Sequence, residues 1–186
     1  MIAVDNFEIE LTRYTGARFA IAVDSCTNAI QLACLYLRVQ EASIPRYTYE
    51  GVPRAIRRAG ARVYCEDREW TGAYQLRPTP IWDSARRFYA GMYKAGTFTC
   101  VSFHRKKILG HSRGGAILFD DLGAWKFFNE ARRDKGSTLG MHCWMPTDVA
   151  AALHLRLTDL PRHNADQIVP LGHYPDLMAT GWNAMS

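Results

Sequence analysis

No stretch of this 186-residue chain stays apolar long enough to cross a bilayer, and Asp5, Glu8 and Glu10 stand where the apolar core of a secretory signal would fall. The sequence therefore predicts a cytoplasmic protein, in the host cytoplasm if the source is viral. Cysteine is sparse and odd in number: the five residues Cys26, Cys34, Cys65, Cys100 and Cys143 are scattered, with no C-x-x-C pair. That pattern excludes a disulfide framework and reads as reduced, mostly structural thiols. Neither the cysteines nor the six histidines have zinc-ligand spacing, so no metal is expected. A Walker A loop is also missing, because G-x-x-x-x-G-K-[ST] does not occur. There is no internal repeat and no low-complexity segment.

What is present is ordinary in amount. Hydrophobic residues make up 48% of the chain and charged residues 22%, enough for one domain with a real core. Lys and Arg outnumber Asp and Glu by 23 to 18. The basic residues cluster at Arg54, Arg57, Arg58 and Arg62, at Arg86 and Arg87, and at Arg105, Lys106 and Lys107. A surface of this kind favours polyanionic partners such as nucleic acid, nucleotides or phosphorylated cofactors, although it also serves solubility alone.

Hydrophobic periodicity predicts helices over Phe7–Gly16, over "NAIQLACLYLRV" behind a Ser25 or Thr27 cap, from about Pro53 to Ala59, over "LGAWKFFNEARRDKG" with Gly136 as its stop, and over "PTDVAAALHLRLTDL". Short strands are predicted in "ARFAIAVDS", in a run ending near Pro45, from Arg62 to Glu66, and in "TPIWDSA", "FTCVSFH" and "GGAILFDD". The tail from Arg162 has no strong period. Alternating strands and helices imply an α/β three-layer sandwich around a mostly parallel sheet. Ligands of such sheets gather beyond the carboxyl ends of the strands. Ser25–Thr27, Tyr47–Tyr49, Asp83 and Ser102–Lys107 close those strands and form the candidate site.

The residues in that site suit one chemistry. Two adjacent lysines, Lys106 and Lys107, sit in a short loop between two apolar strands. One of them can act as a covalent catalyst if its surroundings favour the neutral amine, and neighbouring cations push that way. The bland alternative is a solvated basic turn. Likewise, Asp83 can hold a proton on a ligand nitrogen or simply cap a turn, and Ser25–Thr27 can bind phosphate at a helix N-terminus or merely cap it.

Taken together and in order, "FEIELTRYTGARFAIAVDSCTNAIQLA", "IPRYTYEGVPRAIRRAGARVYCED", "PIWDSA", "SFHRKKILGHSRGGAILFDD", "LGMHCWMPTDVAAALHL" and, more weakly, "YQLRP" resemble the DegT/DnrJ/EryC1/StrS family. These are pyridoxal-phosphate enzymes, the sugar-aminotransferase branch of fold type I. The resemblance implies pyridoxal 5'-phosphate as cofactor and the fold type I large domain over residues 1–161. A short tail, 162–186, stands in place of the small domain. It selects Lys107, five positions after Ser102, as the Schiff-base lysine, and Asp83 as the acid facing the pyridine nitrogen. Ser25, Cys26, Thr27 and Ser102 would then hold the phosphate, and Tyr49 would stack on the ring.

The family pattern is broken in three places. Arg86 stands three residues after the acid, where Gln or His is usual, and with His104 it becomes the candidate for substrate binding. The Asn and Arg that reach across a homodimer are replaced by His142 and Trp144, leaving His142 as a possible hydrogen-bond donor to the neighbouring cofactor. A strand-and-helix unit between "YQL" and "PIWD" and nearly all of the small domain are missing, so the site should be shallow and open unless a partner subunit covers it.

The expected function is a pyridoxal-phosphate Schiff-base enzyme working on an amine or amino-acid group of a bulky polyanionic substrate. The favoured substrate is DNA of the phage type, in which an amino-acid-modified base would be decarboxylated, with Arg86 and the Arg54/Arg57/Arg58 group contacting phosphates at the mouth. The family default, amino transfer from glutamate to a keto-sugar nucleotide, is the alternative. A non-catalytic relic that binds cofactor or nucleic acid is a third.

Overall fold

In the computed structural model, which describes residues 2–133 and 142–182, helix α1 (Ile2–Thr15) begins five residues earlier than its periodicity predicts. Val4 extends the buried stripe of Phe7, Leu11 and Tyr14 by one turn, and Gly16 at φ 81° ends the helix. The chain then passes through β1 (Phe19–Val23), α2 (Cys26–Tyr36), β2 (Glu41–Pro45), α3 (Gly51–Arg58) and β3 (Arg62–Glu66). It continues through β4 (Tyr74–Gln75), β5 (Ile81–Asp83), β6 (Phe98–Ser102), β7 (Gly115–Phe119), α4 (Leu122–Ala131) and α5 (Thr147–Thr158). The predicted helix stop Gly136 lies outside the described residues.

The main sheet has the order β1-β7-β6-β5-β4, and β2 and β3 form a parallel pair. Backbone hydrogen bonds between Ser43 and Arg77, at 2.7 and 3.1 Å, join that pair to the end of β4. In direction β1, β6, β5, β2 and β3 agree, and β7 and the short β4 oppose them. The carboxyl ends of five strands therefore open on one side. β4 was not expected. It turns straight into β5, with the Leu76 N–H donating to the Ile81 carbonyl at 2.9 Å. No helix separates β4 from β5.

Alternation along the strands explains the layers. Ile21, Val23, Phe98, Cys100, Ile117 and Phe119 face α2, α3 and α4 in one core. Ala20, Ala22, Val101, Phe103, Ala116 and Leu118 face α1 and α5 in the other. Each fully buried Leu, Ile or Phe contributes roughly 1.5–3 kcal/mol relative to exposure. The five cysteines are free thiols, and four of them are buried, as expected of structural residues.

One buried ion pair ties the layers together. Arg132, 1% exposed, pairs with Glu8 of α1 and donates to the Ala22 carbonyl at 3.2 Å. Its guanidinium also lies 4.6 Å from the centre of the Trp144 ring, and Arg133 lies over the same ring at 5.1 Å. Within the chain, cation–π contacts hold Trp144 in place.

The tail departs most from expectation. Without a hydrophobic period it still packs, because polar ties replace the amphipathic stripe. Asp176 accepts two hydrogen bonds from Arg46 at 2.7 and 2.5 Å, Asp166 chelates Arg87, and Leu177 is fully buried. The tail thus folds back over the strand ends.

Candidate active site

Asp83 ends β5 and is 5% exposed. Its Oδ1 accepts from the Ala85 N–H at 2.9 Å and its Oδ2 from the Tyr74 hydroxyl at 2.9 Å. Tyr74 shares a further hydrogen bond of 2.7 Å with Thr48. Both carboxylate oxygens are thereby oriented. Burial pushes the carboxyl above its ordinary range, opposed by these hydrogen bonds and by attraction to Lys107 and Arg86.

Lys107 and Lys106 have different surroundings. Lys106 is exposed, whereas Lys107 is half-buried and interacts with Asp83, Arg86 and Cys26. Burial first, and the like charge of Arg86 second, lower the Lys107 amine, against the pull of Asp83 and Cys26. Lys107 forms no ion pair among the described residues. A half-buried amine with a lowered pKa and no fixed partner has the character of a covalent nucleophile.

The loop that presents Lys107 is closed locally, with the Lys107 N–H donating to the His104 carbonyl at 2.8 Å. His104 is exposed, and burial followed by the surrounding cations lowers its pKa. Ser102 ends β6, and its Oγ accepts from the His104 N–H at 3.4 Å.

Ser25 caps α2, accepting from the Asn28 N–H at 3.2 Å. The glycines of β7 lie directly against this cap: a Cβ on Gly115 would overlap the backbone nitrogen of Cys26, and Gly114 has φ 120°. Only glycine allows the two backbones to come this close. The result is a helix N-terminus bounded by Ser25, Cys26, Thr27 and the end of β6, which suits an anion. The Cys26 thiol lies 4.0 Å from Asp83, and burial and that carboxylate raise its pKa well above the usual value, so it packs as a neutral group. On the outer side Gly51 brings Tyr49 and Thr27 together, since a Cβ there would overlap the Tyr49 ring and lie 3.2 Å from Thr27 Oγ1. Tyr49 is 58% exposed, leaving its ring free to lie on a planar ligand.

His142 is exposed. The strand-like run that pairs Trp144 with Val23, and Cys143 with Asp24, leads it toward the Ser25 end of β1. No partner of its side chain has been found among the described residues. The site thus brings together Ser25, Cys26, Thr27, Asp83, Ser102, Lys107 and Arg86, with Tyr49 and His104 at its rim.

Two corrections follow. Arg57 and Arg58 end α3, and Arg62 begins β3, so they lie at the opposite end of the strands from Lys107. Arg54 pairs with Glu50, Arg62 with Glu41, and Arg57 lies over Trp182. These side chains do not form a phosphate track at the mouth. The site is also not left open, because the tail crosses it: the Gln167 amide donates to the Lys106 carbonyl at 3.1 Å and accepts from Arg86 at 3.4 Å, and Tyr174 accepts from Arg86 at 3.2 Å. The sequence reading missed Gln167, Tyr174 and Tyr74, and it held Thr48 only within the span Tyr47–Tyr49, with no role assigned. "YQLRP" was the one signal for Tyr74; the tail offered none.

The fold is that of the large domain of fold type I aminotransferases. DesV of S. venezuelae, solved in complex with a ketimine intermediate, is 22% identical over 85% of this chain and 57% of its own, with a TM-score of 0.70. DesI, solved in the presence of its TDP-sugar product, is 19% identical over 86% of this chain and 53% of its own, with a TM-score of 0.67. A protein described as a sugar aminotransferase, Spr1654 of Streptococcus pneumoniae, solved in its PLP-form, is 19% identical over 84% of this chain and 59% of its own, with a TM-score of 0.67. The chain therefore spans somewhat over half the length of these structures.

In sequence, the model of the DegT/DnrJ/EryC1/StrS aminotransferase family matches residues 3–79, which hold the first two motifs and "YQLRP" but not Asp83, Ser102 or Lys107. No curated protein matches the sequence. Among the described residues no helix is long and apolar enough to cross a membrane, and no group of His, Cys, Asp and Glu could hold a metal ion.

Proposed function

We propose that this chain is a pyridoxal-phosphate enzyme of the aminotransferase kind, with Lys107 as the point of covalent attachment and a nucleotide-linked keto-sugar as amino acceptor. The observation that carries the reading is the placing of Lys107. Its amine is half-buried, lowered in pKa and unpaired, and it interacts with an oriented, buried Asp83 beyond the strand ends.

The residues fit the cofactor in chemistry as well as position. Ser25, Cys26, Thr27 and Ser102 would hold its phosphate, and the close approach of Gly115 keeps that helix end free of side chains. Asp83 would accept a hydrogen bond from the protonated ring nitrogen, which relieves the cost of its burial. Tyr49 would lie on the ring. When bound, the cofactor supplies an electron sink for bond breaking at the carbon bearing the amine. Lys107 Nζ, once free, is placed to take and return a proton at that carbon, and the depressed pKa favours its neutral form for that task.

Amino transfer is preferred to decarboxylation on DNA. The family match and the sugar aminotransferases of the same fold support it, and of the arginines expected to line a DNA path Arg54 pairs with Glu50 and Arg57 lies over Trp182. His142 is retained as a residue that would reach a second copy of the chain in a homodimer. Residues 162–186 are read as the tail that takes the place of the small domain.

The test is turnover. The purified protein, loaded with pyridoxal phosphate, should convert a nucleotide keto-sugar to its amine with glutamate as donor. Release of carbon dioxide from amino-acid-modified DNA, with no glutamate-dependent product, would reverse the preference.

A further inference from the structure

Arg86 and Arg87 are adjacent in sequence and have opposite fates. The Arg87 guanidinium is neutralised by Asp166, which accepts from Nε at 3.0 Å and from Nη2 at 2.6 Å. Arg86 forms no ion pair among the described residues. Its two side-chain partners are neutral tail groups, the Tyr174 hydroxyl on Nε and the Gln167 amide oxygen on Nη1. Both partners are fixed from behind. Tyr174 packs on Trp70 with ring centres 5.8 Å apart, and the Gln167 N–H donates to the Arg86 carbonyl at 2.8 Å. The tail therefore holds a guanidinium beside Lys107 and Asp83 without cancelling its charge. Nη2 takes no protein acceptor among the described residues.

We propose that Gln167 and Tyr174 are positioning residues that hold Arg86 as a carboxylate subsite for the amino-acid substrate. A planar guanidinium with one free edge matches a carboxylate, whose two oxygens it can bind side by side. A carboxylate from the tail at this place would occupy the site; the tail puts the neutral amide of Gln167 there, and its sequence neighbour Asp166 is engaged by Arg87. The location beside Lys107 rests on the functional reading above. The anion subsite itself does not.

The probe is glutarate, an unreactive dicarboxylate, titrated calorimetrically into the full chain with and without pyridoxal phosphate. Gln167→Glu should raise the glutarate Kd at least tenfold by supplying an internal competitor. Tyr174→Phe, which keeps the ring on Trp70 and removes the acceptor, should raise it about threefold, in line with the loss of one hydrogen bond. In the loaded protein glutarate should shift the cofactor absorbance band, and Gln167→Glu should abolish that shift at matched concentration. A merely structural role would leave the band's response intact. Unchanged glutarate affinity in both variants, or no glutarate binding by the wild type, overturns the inference. Failure to take up cofactor while the calorimetric pattern holds would instead sink the functional reading and leave the subsite standing.

Discussion

The sheet and its helices are held by apolar side chains that face two cores, whereas residues 162–182 are held mainly by polar ties, with Leu177 the one fully buried apolar residue among those whose burial is described. The difference has a physical consequence. Burying a strand residue is a collective event shared with the whole core, and its loss is felt globally. A tie such as Arg46 with Asp176 can break alone, so the tail is able to detach while the sandwich stays folded. Lys107, the lysine proposed to carry the chemistry, belongs to the first region, and the residues that hold Arg86 belong to the second.

The largest effects should come from the sandwich. Phe119, fully buried and ringed by Phe19, Phe98 and Phe128, should cost about 3–5 kcal/mol when changed to alanine. Arg132→Ala should cost a similar 3–5 kcal/mol, because it leaves Glu8 buried without its partner. Denaturant unfolding with unchanged slope checks both, and a loss under 1 kcal/mol in either would mean that the cores are looser than described.

A smaller loss, roughly 2 kcal/mol at the low end for a buried leucine, is expected of Leu177→Ala. It should be accompanied by new protease cleavage after Arg162. Cleavage inside the sandwich instead would show that tail and body unfold together.

Acid should separate the two regions without mutation. Hydrogen bonds from Arg46 pull the Asp176 carboxyl down to about 2. A depressed carboxylate stabilises the folded form above its unfolded pKa of about 3.9, and that contribution is lost as pH falls through the folded value. Tail release, read as pepsin cleavage between Arg162 and Trp182, should therefore grow as pH falls from about 4 to about 2, and Asp176→Asn should remove this dependence. A finer effect concerns Arg86, whose like charge helps to depress Lys107. Arg86→Gln should raise the pH needed for half-maximal cofactor attachment, and an unchanged or lower pH would remove Arg86 from the environment of that amine.

The two regions also differed in how far they could be read from sequence. Sequence pattern located five helices and six of seven strands, because unbroken apolar runs such as "FAIAV" and "GAILF" encode burial on both faces of the sheet. The one strand missed, Tyr74–Gln75, is too short to have a period. The candidate site was legible at Asp83 and Ser102, which end strands, whereas the choice of Lys107 over Lys106 came from the family resemblance. Tyr74 and Thr48 act behind Asp83 through side-chain hydrogen bonds, one across the β4–β5 turn and one between segments 26 residues apart, and such contacts leave no periodic pattern. The tail was invisible for the same reason: Asp166, Gln167, Tyr174 and Asp176 find partners 61 to 130 residues away. The arginines of α3 misled in the opposite sense, since clustering in sequence did not tell which end of the strands they occupy.

The central claim is that Lys107, and not its neighbour, carries the chemistry. Borohydride reduction of the protein loaded with pyridoxal phosphate, followed by peptide mass mapping, reads this directly. The adduct is expected on Lys107, to be lost in Lys107→Ala and retained in Lys106→Ala. An adduct on Lys106, or a cofactor that is never fixed to the chain, would contradict it.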